Sequence, residues 1–188
     1  MALRTVDRMH SDFSALLKVL DDAQEISLRN TADDSLRKTL LLAAASYFER
    51  RMTDAVISFA ENVTNNNAAV ISFLRNKAVS RQYHTWFDWE RNNANQFFAL
   101  FGKDFREFMN QRIREDDDLA ESIRAFMELG RDRNRLVHRD FASFVLEKTS
   151  EEIHDVYCKA LYFVDSFGTT LTEFSIAAQS PSEEQGVE

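Results

Sequence analysis

Residues 35–63 read SLRKTLLLAAASYFERRMTDAVISFAENV. Apolar side chains recur in this stretch every three or four residues, which is the period of one face of an α-helix. They are Leu36, Leu40, Ala43, Ala44, Tyr47, Phe48, Met52, Val56 and Phe59. Residues 30–34, directly before it, are of the types that end and cap helices. The pattern predicts a long central helix and a fold built from helices.

The same helical period occurs on both sides of the central helix. The further predicted helices lie at about residues 4–28, 68–78, 85–101, 103–114, 119–138 and 153–171. Gly102 is expected to separate two of them, and the acidic run 116–118 is expected to cap the next. Residues 149–152 have the character of a capping box for the last helix. The segment 179–188 is predicted to be a flexible acidic tail.

Length and composition favour one helical domain. The chain has 188 residues, 44% of them hydrophobic and 16 of them phenylalanine, which is enough for a core without disulfides or metals. One proline and four glycines leave few turns between long helices. Neither sustained strand alternation nor an internal repeat occurs. The predicted fold is therefore all-α, a single helical bundle over residues 1–178.

Several classes of site are disfavoured by the residues present. Nucleotide-binding loops of the Walker and Rossmann types, zincin motifs and nucleophile elbows are absent. Cys158 is the one cysteine, so it is predicted to be inert packing in an apolar helix. The four histidines, at positions 10, 84, 138 and 154, are spread along the chain and do not suggest a metal cage. We expect no metal and no cofactor.

Charge and hydropathy bear on partners and on localisation. A net charge of −8 argues against a broad electrostatic grip on nucleic acid, so we expect local contacts only and no specificity for DNA. The first 13 residues carry several charges and resemble no signal peptide. Apolar runs are shorter than the ~18 to 20 residues that span a bilayer. A cytoplasmic protein without a membrane partner is the expectation.

One hexapeptide carries the candidate chemistry: Arg133-Asn134-Arg135-Leu136-Val137-His138. It resembles the Arg-polar-x-x-x-His signature of HEPN ribonucleases. A second segment, Ala44-Ala45-Ser46-Tyr47-Phe48-Glu49, resembles the aromatic-then-Glu stretch on an early helix of RiboL-PSP-type HEPN domains. The resemblance implies a HEPN-like helical bundle.

The same resemblance implies metal-independent cleavage of RNA, in which the ribose 2′-hydroxyl attacks the adjacent phosphorus and leaves a 2′,3′-cyclic phosphate. His138 is the candidate for proton transfer, since an imidazole titrates near neutral pH. Arg133 is the candidate to hold the phosphate and its developing charge. Asn134 and Glu49 are candidates for support: the amide can orient the imidazole or bind ribose, and the carboxylate can orient Arg133 or His138 across helices.

The arrangement of the motif on a helix predicts a homodimer. At about 100° per residue, Arg133 and His138 are offset by roughly 140°, so one helix cannot easily bring them together. Two copies about a twofold axis can do so, and HEPN ribonucleases are dimers with composite clefts. Arg131, Arg135 and Arg139 are the candidate contacts to the RNA backbone, because they bind charge but do not titrate.

Simpler interpretations stand beside these. His138 can be a solvated histidine at a helix end, and Glu49 a surface charge. The arginines can be a solvated face paired with Asp132, Asp140 or Glu128. Trp86 and Trp89 can stack on bases, but aromatic residues at helical spacing favour the core.

Three functions follow from these alternatives. The first is a HEPN-type endoribonuclease acting as a toxin or effector of a bacterial defence or toxin–antitoxin system, with RNA as substrate and a cognate antitoxin or regulatory protein as a further partner. HEPN toxins paired with small nucleotidyltransferases carry Tyr two residues after the histidine, whereas this chain has Asp140. The alternative is a noncatalytic HEPN-like module that dimerises or binds a nucleotide or partner protein. The third is an immunity protein that acts through its acidic surface.

Overall fold

A computed structural model describes residues 4–179, and all regular elements in that range are helices. The α-helices are α1 (Thr5–Asp22), α2 (Ile26–Val63), α3 (Ala68–Leu74), α4 (Asn95–Ala99), α5 (Lys103–Glu115), α6 (Asp117–His138) and α7 (Ser150–Gln179). A π-helical turn (Arg75–Val79) and a 3-10 turn (Tyr83–Thr85) follow α3. The all-α prediction is confirmed. The predicted tail, 179–188, lies outside the described residues except for Gln179, which ends α7.

The centre of the bundle is formed by α2, α6 and α7, with α1 packed on α2 and α7 and with α5 packed on α6 and α7. Fully buried aromatic rings join the three central helices. The Phe126 ring of α6 lies 5.6 Å from that of Phe48 on α2 and 5.3 Å from that of Phe163 on α7. Such pairs add to the stability that burial alone provides. They fix the middle of α6 beside the middle of α2.

None of the helices within residues 4–179 combines the length and the apolar character that crossing a bilayer requires.

The tryptophan-rich segment between α3 and α4 belongs mostly to the core. Trp86 and Phe87 are buried, and the Trp86 ring stacks on the Phe97 ring at 5.5 Å. The Trp86 indole N–H donates to the carbonyl of Ala78 at 3.0 Å, which satisfies its polar atom. The core interpretation of the buried aromatic residues is confirmed. Trp89 is half-buried and packs against α6.

Three predicted helix boundaries are confirmed. Gly102 has φ +103°, a conformation that favours glycine, and it lies directly before α5. The Asp116 carboxylate accepts from the Leu119 N–H at 2.9 Å and caps α6. In front of α7, the Thr149 hydroxyl accepts from the Glu152 N–H at 3.2 Å, and the Glu152 carboxylate accepts from the Thr149 N–H at 2.9 Å. This is the expected capping box.

The predicted boundary between the first two helices is wrong. The chain breaks at residues 23–25, where Gln24 has φ +59°, and residues 30–34 lie inside α2. The carboxylates of that stretch form ion pairs one turn later instead of capping a helix. Asp33 pairs with Arg37 at 3.2 Å, and Asp34 with Lys38 at 2.8 Å. Such i,i+4 pairs stabilise a continuing helix.

Close packing of Trp89 on α6 requires a glycine. A Cβ atom placed on Gly130 would lie 1.9 Å from the Trp89 ring, far inside van der Waals contact. The indole therefore lies directly on the helix backbone. Gly168, in the middle of α7, has no such constraint, because its Cβ would meet the Ala55 Cβ at an ordinary 3.4 Å.

We therefore predict that Gly130→Ala displaces the Trp89 ring and destabilises the protein by about 1–3 kcal/mol, the usual cost of overpacking. The matched variant Gly168→Ala should be neutral or stabilising by up to about 1 kcal/mol, because alanine is the better helix former. Urea unfolding followed by tryptophan fluorescence measures both. Equal stability of the two variants would contradict the close contact.

Candidate active site

The hexapeptide predicted to carry the chemistry forms the last turns of α6. Leu136 is fully buried and anchors this end of the helix, while Arg133 and Asn134 are half-buried. His138, the final residue of α6, is exposed. The chain leaves the helix at Arg139, whose backbone is extended. The motif thus presents one half to the protein and the other to solvent.

A small cleft of about 20 Å³, room for about one water molecule, lies beside the first half of the motif. Arg133 and Asn134 line it from α6, and Glu49 lines it from α2. The structure therefore brings together three of the four residues predicted for catalysis and its support. The Arg133 guanidinium donates to the Asn134 side-chain oxygen at 3.0 Å, so the amide orients the arginine. His138 does not line the cleft.

Two cleft residues were not predicted from the sequence. The Tyr83 side chain is buried against the cleft, and its burial raises the pKa of the hydroxyl well above its ordinary value. The Glu49 charge raises that pKa further, while Arg133 opposes the shift. Tyr83 is thus a neutral hydrogen-bond donor near both groups. His84 is exposed and is the histidine that lines the cleft.

The floor of the cleft is apolar. Phe48, Phe126, Leu129 and Trp89 contribute to its lining. Arg133, Asn134 and Glu49 therefore border a small, largely apolar hollow whose volume admits about one water molecule.

Arg131 holds the tryptophan-rich segment in place. Its guanidinium donates to the carbonyl of Trp89 at 3.1 Å and to that of Arg91 at 3.5 Å, and it also donates to the Asn92 side chain. These bonds fix the wall of the cleft. Most of the donors of Arg131 are used in this way, and its contact to RNA stays a prediction.

Arg135 and Arg139 lie in a second groove, between the end of α6 and residues 144–148. The Arg139 guanidinium lies over the Phe144 ring at 5.9 Å. In the part of the chain that the structure describes, neither arginine lies within 4 Å of a carboxylate. Asp132 and Glu128, two of the acids considered above as partners of these arginines, form ion pairs with Lys148 instead.

Those two acids bind Lys148, at 2.6 Å and 2.8 Å respectively. Burial alone would lower the pKa of Lys148. The hydrogen bonds that its ammonium donates to Asp132 and Glu128 outweigh the effect of burial and raise the pKa above its usual value. From the other side, the buried Lys38 ammonium donates to the carbonyl of Phe141 at 3.1 Å. The segment after His138 is thus held at both ends.

His138 is free of such restraints. Among residues 4–179, no side chain donates to or accepts from its ring. Three exposed apolar side chains surround it in sequence, Val137, Phe141 and Val145, which are 42%, 47% and 76% exposed. Exposed apolar side chains close to a histidine along the chain are surface that a second copy could cover.

A group of possible metal ligands lies away from this cleft. Asp7, His154 and Cys158 place one ligand atom each within 4.8 Å of one another, between α1 and α7. The prediction that Cys158 is inert core packing is wrong, because this residue is exposed. Its place on α7 alone did not show which side of the helix faces the core.

Comparison with known proteins gives one result. No curated protein and no solved structure matches the chain significantly. The family model described as RiboL-PSP-HEPN matches residues 7–173, which includes α2, the cleft and the α6 motif. Because this match covers most of the 188 residues, the chain belongs to the RiboL-PSP-HEPN family.

Proposed function

We propose that this protein is a metal-independent endoribonuclease that cleaves RNA through attack of the ribose 2′-hydroxyl. Membership of a HEPN family suggests a nuclease-type function. The specific proposal of RNA cleavage rests on one observation about Arg133. Arg133 faces a cleft without a carboxylate partner within 4 Å in the described chain, although its helix also carries Asp132 and Glu128. An unpaired arginine at a cleft suits a phosphate.

Each residue then has a distinct part in the reaction. Arg133 binds the scissile phosphate and stabilises the charge that develops on it. Asn134 orients the guanidinium, and Glu49 faces the same cleft. His138 accepts the proton of the attacking 2′-hydroxyl, and its free, exposed ring is able to approach a substrate. As the O2′–P bond forms, the P–O5′ bond breaks and the departing 5′-oxygen takes up a proton from solvent. Arg135 and Arg139 bind the RNA backbone in the adjacent groove.

The reaction requires a homodimer. His138 lies outside the cleft that holds Arg133, so one chain does not bring the pair together. A second copy packed on the patch of Val137, Phe141 and Val145 would cover apolar surface and bring the two motifs to a common twofold axis. The active species is thus a dimer with a composite site.

We propose that this dimer acts in the cytoplasm as a toxin or defence effector under the control of a cognate antitoxin or regulatory protein.

A noncatalytic nucleotide-binding module is the second candidate. The specific observation in its favour is that Arg133 and the half-buried Trp89 line the same cleft, with His138 outside. An aromatic ring can stack on a base while the arginine binds a phosphate. Binding without cleavage would then depend on Arg133 but not on His138.

The ribonuclease proposal is tested with mixed cellular RNA in EDTA, with product ends analysed for 2′,3′-cyclic phosphate. We expect His138→Ala to lower cleavage by about 10²- to 10⁴-fold, because it removes proton transfer. Arg133→Ala should lower it by about 10²- to 10³-fold, because it removes charge stabilisation. Arg114→Ala, an exposed arginine on α5, is the matched control and should retain wild-type activity.

His84→Ala separates the two histidines. If cleavage depends on His84 and not on His138, the proton-transfer residue belongs to the cleft and the assignment of His138 fails. Nucleotide binding by wild type and by His138→Ala, but not by Arg133→Ala, with no cleavage by any variant, would favour the noncatalytic module.

The dimer is tested by analytical ultracentrifugation. We expect the wild-type chain to sediment as a dimer and Val145→Asp to sediment as an inactive monomer, because a charge in an apolar interface is costly to desolvate. Val19→Asp places the same change on α1 at a side chain that is 62% exposed, and it should remain dimeric and active. A fully active wild-type monomer would contradict the composite site.

Mixing two inactive variants tests whether the site is shared. Arg133→Ala and His138→Ala chains, refolded together, should recover about a quarter of wild-type activity. Half of the dimers are then mixed, and one of the two sites in each is intact. No recovery, with mixed dimers present, would place Arg133 and His138 of one chain in the same site.

A further inference from the structure

Titratable side chains from α1 and α7 converge where the two helices pack together. The His154 ring nitrogen Nε2 lies 3.0 Å from the Asp7 carboxylate oxygen Oδ1. The Cys158 sulfur lies 3.8 Å from each ring nitrogen of His154. His154 and Cys158 are four residues apart on α7, so they share one face of the helix. The helix α1 contributes Asp7 from the opposite side.

A fourth titratable group belongs to the same cluster. The His10 ring stacks on the His154 ring, with centroids 4.2 Å apart and planes only 8° from parallel. Its Nε2 atom is buried and has no hydrogen-bond partner within the described residues. Burial, and next the neighbouring His154, lower the pKa of His10. A neutral imidazole with a free nitrogen is the form that binds metals.

We propose that Asp7, His154 and Cys158 form a zinc site that joins α1 to α7. The donors are one carboxylate oxygen, one imidazole nitrogen and one thiolate sulfur, a mixture that Zn²⁺ accepts and that Mg²⁺ and Ca²⁺, which prefer oxygen, do not. Three protein ligands leave one position for water.

The spacing of the donor atoms fits tetrahedral zinc. Ordinary Zn–N, Zn–O and Zn–S bond lengths place ligand atoms about 3.3 Å apart for nitrogen and oxygen and about 3.6 Å apart for nitrogen and sulfur. The corresponding separations here are 3.0 Å, for His154 and Asp7, and 3.8 Å, for His154 and Cys158. The third pair, Asp7 and Cys158, lies within 4.8 Å, so seating the ion requires the exposed Cys158 side chain to move toward Asp7 by up to about an ångström.

The surroundings favour a divalent cation. The second carboxylate oxygen of Asp7 accepts from the Arg4 backbone N–H at 3.2 Å, which orients Oδ1 toward His154. The Arg4 guanidinium pairs with Asp165 instead, at 2.6 Å, so Asp7 is not neutralised by it. Glu151 and Asp155 add negative charge near the histidine pair. Burial, and next the Asp7 charge, raise the pKa of the Cys158 thiol, so the ion must displace its proton.

Zinc at this position would hold the first helix on the bundle. The principal contacts of α1 are with α2 and α7, and Asp7 and His154 are separated by 147 residues of chain. A bond between such distant positions stabilises the native state because the unfolded chain lacks the preformed site. The ion would thus tie α1 to α7 at a place independent of the RNA cleft.

The test uses the full-length protein, first stripped of metal with EDTA, and titrates Zn²⁺ against a chromophoric chelator. We expect one Zn²⁺ per chain, an increase in the melting temperature, and affinity at least about 100-fold lower in Cys158→Ser and in His154→Ala, since loss of outer-shell groups alone costs about 10- to 100-fold. Co²⁺ in place of Zn²⁺ should give thiolate-to-metal charge-transfer absorption in wild type and none in Cys158→Ser.

Asp12→Asn, an exposed carboxylate on the same helix, is the matched control and should bind as wild type does. Circular dichroism of the metal-free variants checks that they fold. Zinc affinity unchanged in Cys158→Ser, or a cobalt complex without thiolate absorption, would overturn the proposal. Because RNA cleavage is assayed in EDTA, failure of the zinc site leaves the ribonuclease proposal standing, and the reverse also holds.

Discussion

The rotation of about 100° per residue along an α-helix is the constraint on which the site depends. It places Arg133 and Asn134 on the cleft side of α6 and buries Leu136. His138 is only about 40° from Asn134 around the helix but one turn further along, where α6 ends and the side chain is in solvent. In the proposed reaction, the phosphate-binding residue Arg133 and the proton-transfer residue His138 of a single chain therefore lie apart, one at the cleft and one outside it. A composite site between two copies resolves this separation, and the apolar surface around His138 suits such an interface.

The distribution of charge around α6 keeps the important arginine available. The helix carries acids next to its arginines, and in most such helices these would pair with each other. Here Lys148 binds both Asp132 and Glu128, and the segment that carries Lys148 is itself held by Arg37 and Lys38 of α2. Lys148, in the loop after the motif, thus neutralises Asp132 and Glu128, the two acids of α6 that it contacts. A net charge of −8 is therefore compatible with local binding of an anion.

Much of the fold could be predicted from the sequence because its signals are local. The Asp116 cap, the Thr149–Glu152 capping box and Gly102 each act within a few residues of the boundary they mark. The break between α1 and α2 was misplaced because Gln24 adopts a left-handed conformation without being a glycine or an asparagine. The helical period predicted that Arg133 and His138 diverge, and the family pattern indicated Glu49.

The remaining parts of the site depend on contacts between distant segments. Tyr83 and His84 reach the cleft through a turn whose wall is fixed by Arg131, and nothing in their local sequence marks them. The spread of the histidines along the chain disfavoured a metal site, yet α1 packs on α7 and brings His10 and His154 into contact.

The proposal that two copies share one active site is tested most directly by a crystal structure with an RNA oligonucleotide that lacks the 2′-hydroxyl at the scissile position. We expect a dimer in which Arg133 of one copy and His138 of the other contact the scissile phosphate; a phosphate bound away from both residues would contradict the composite site.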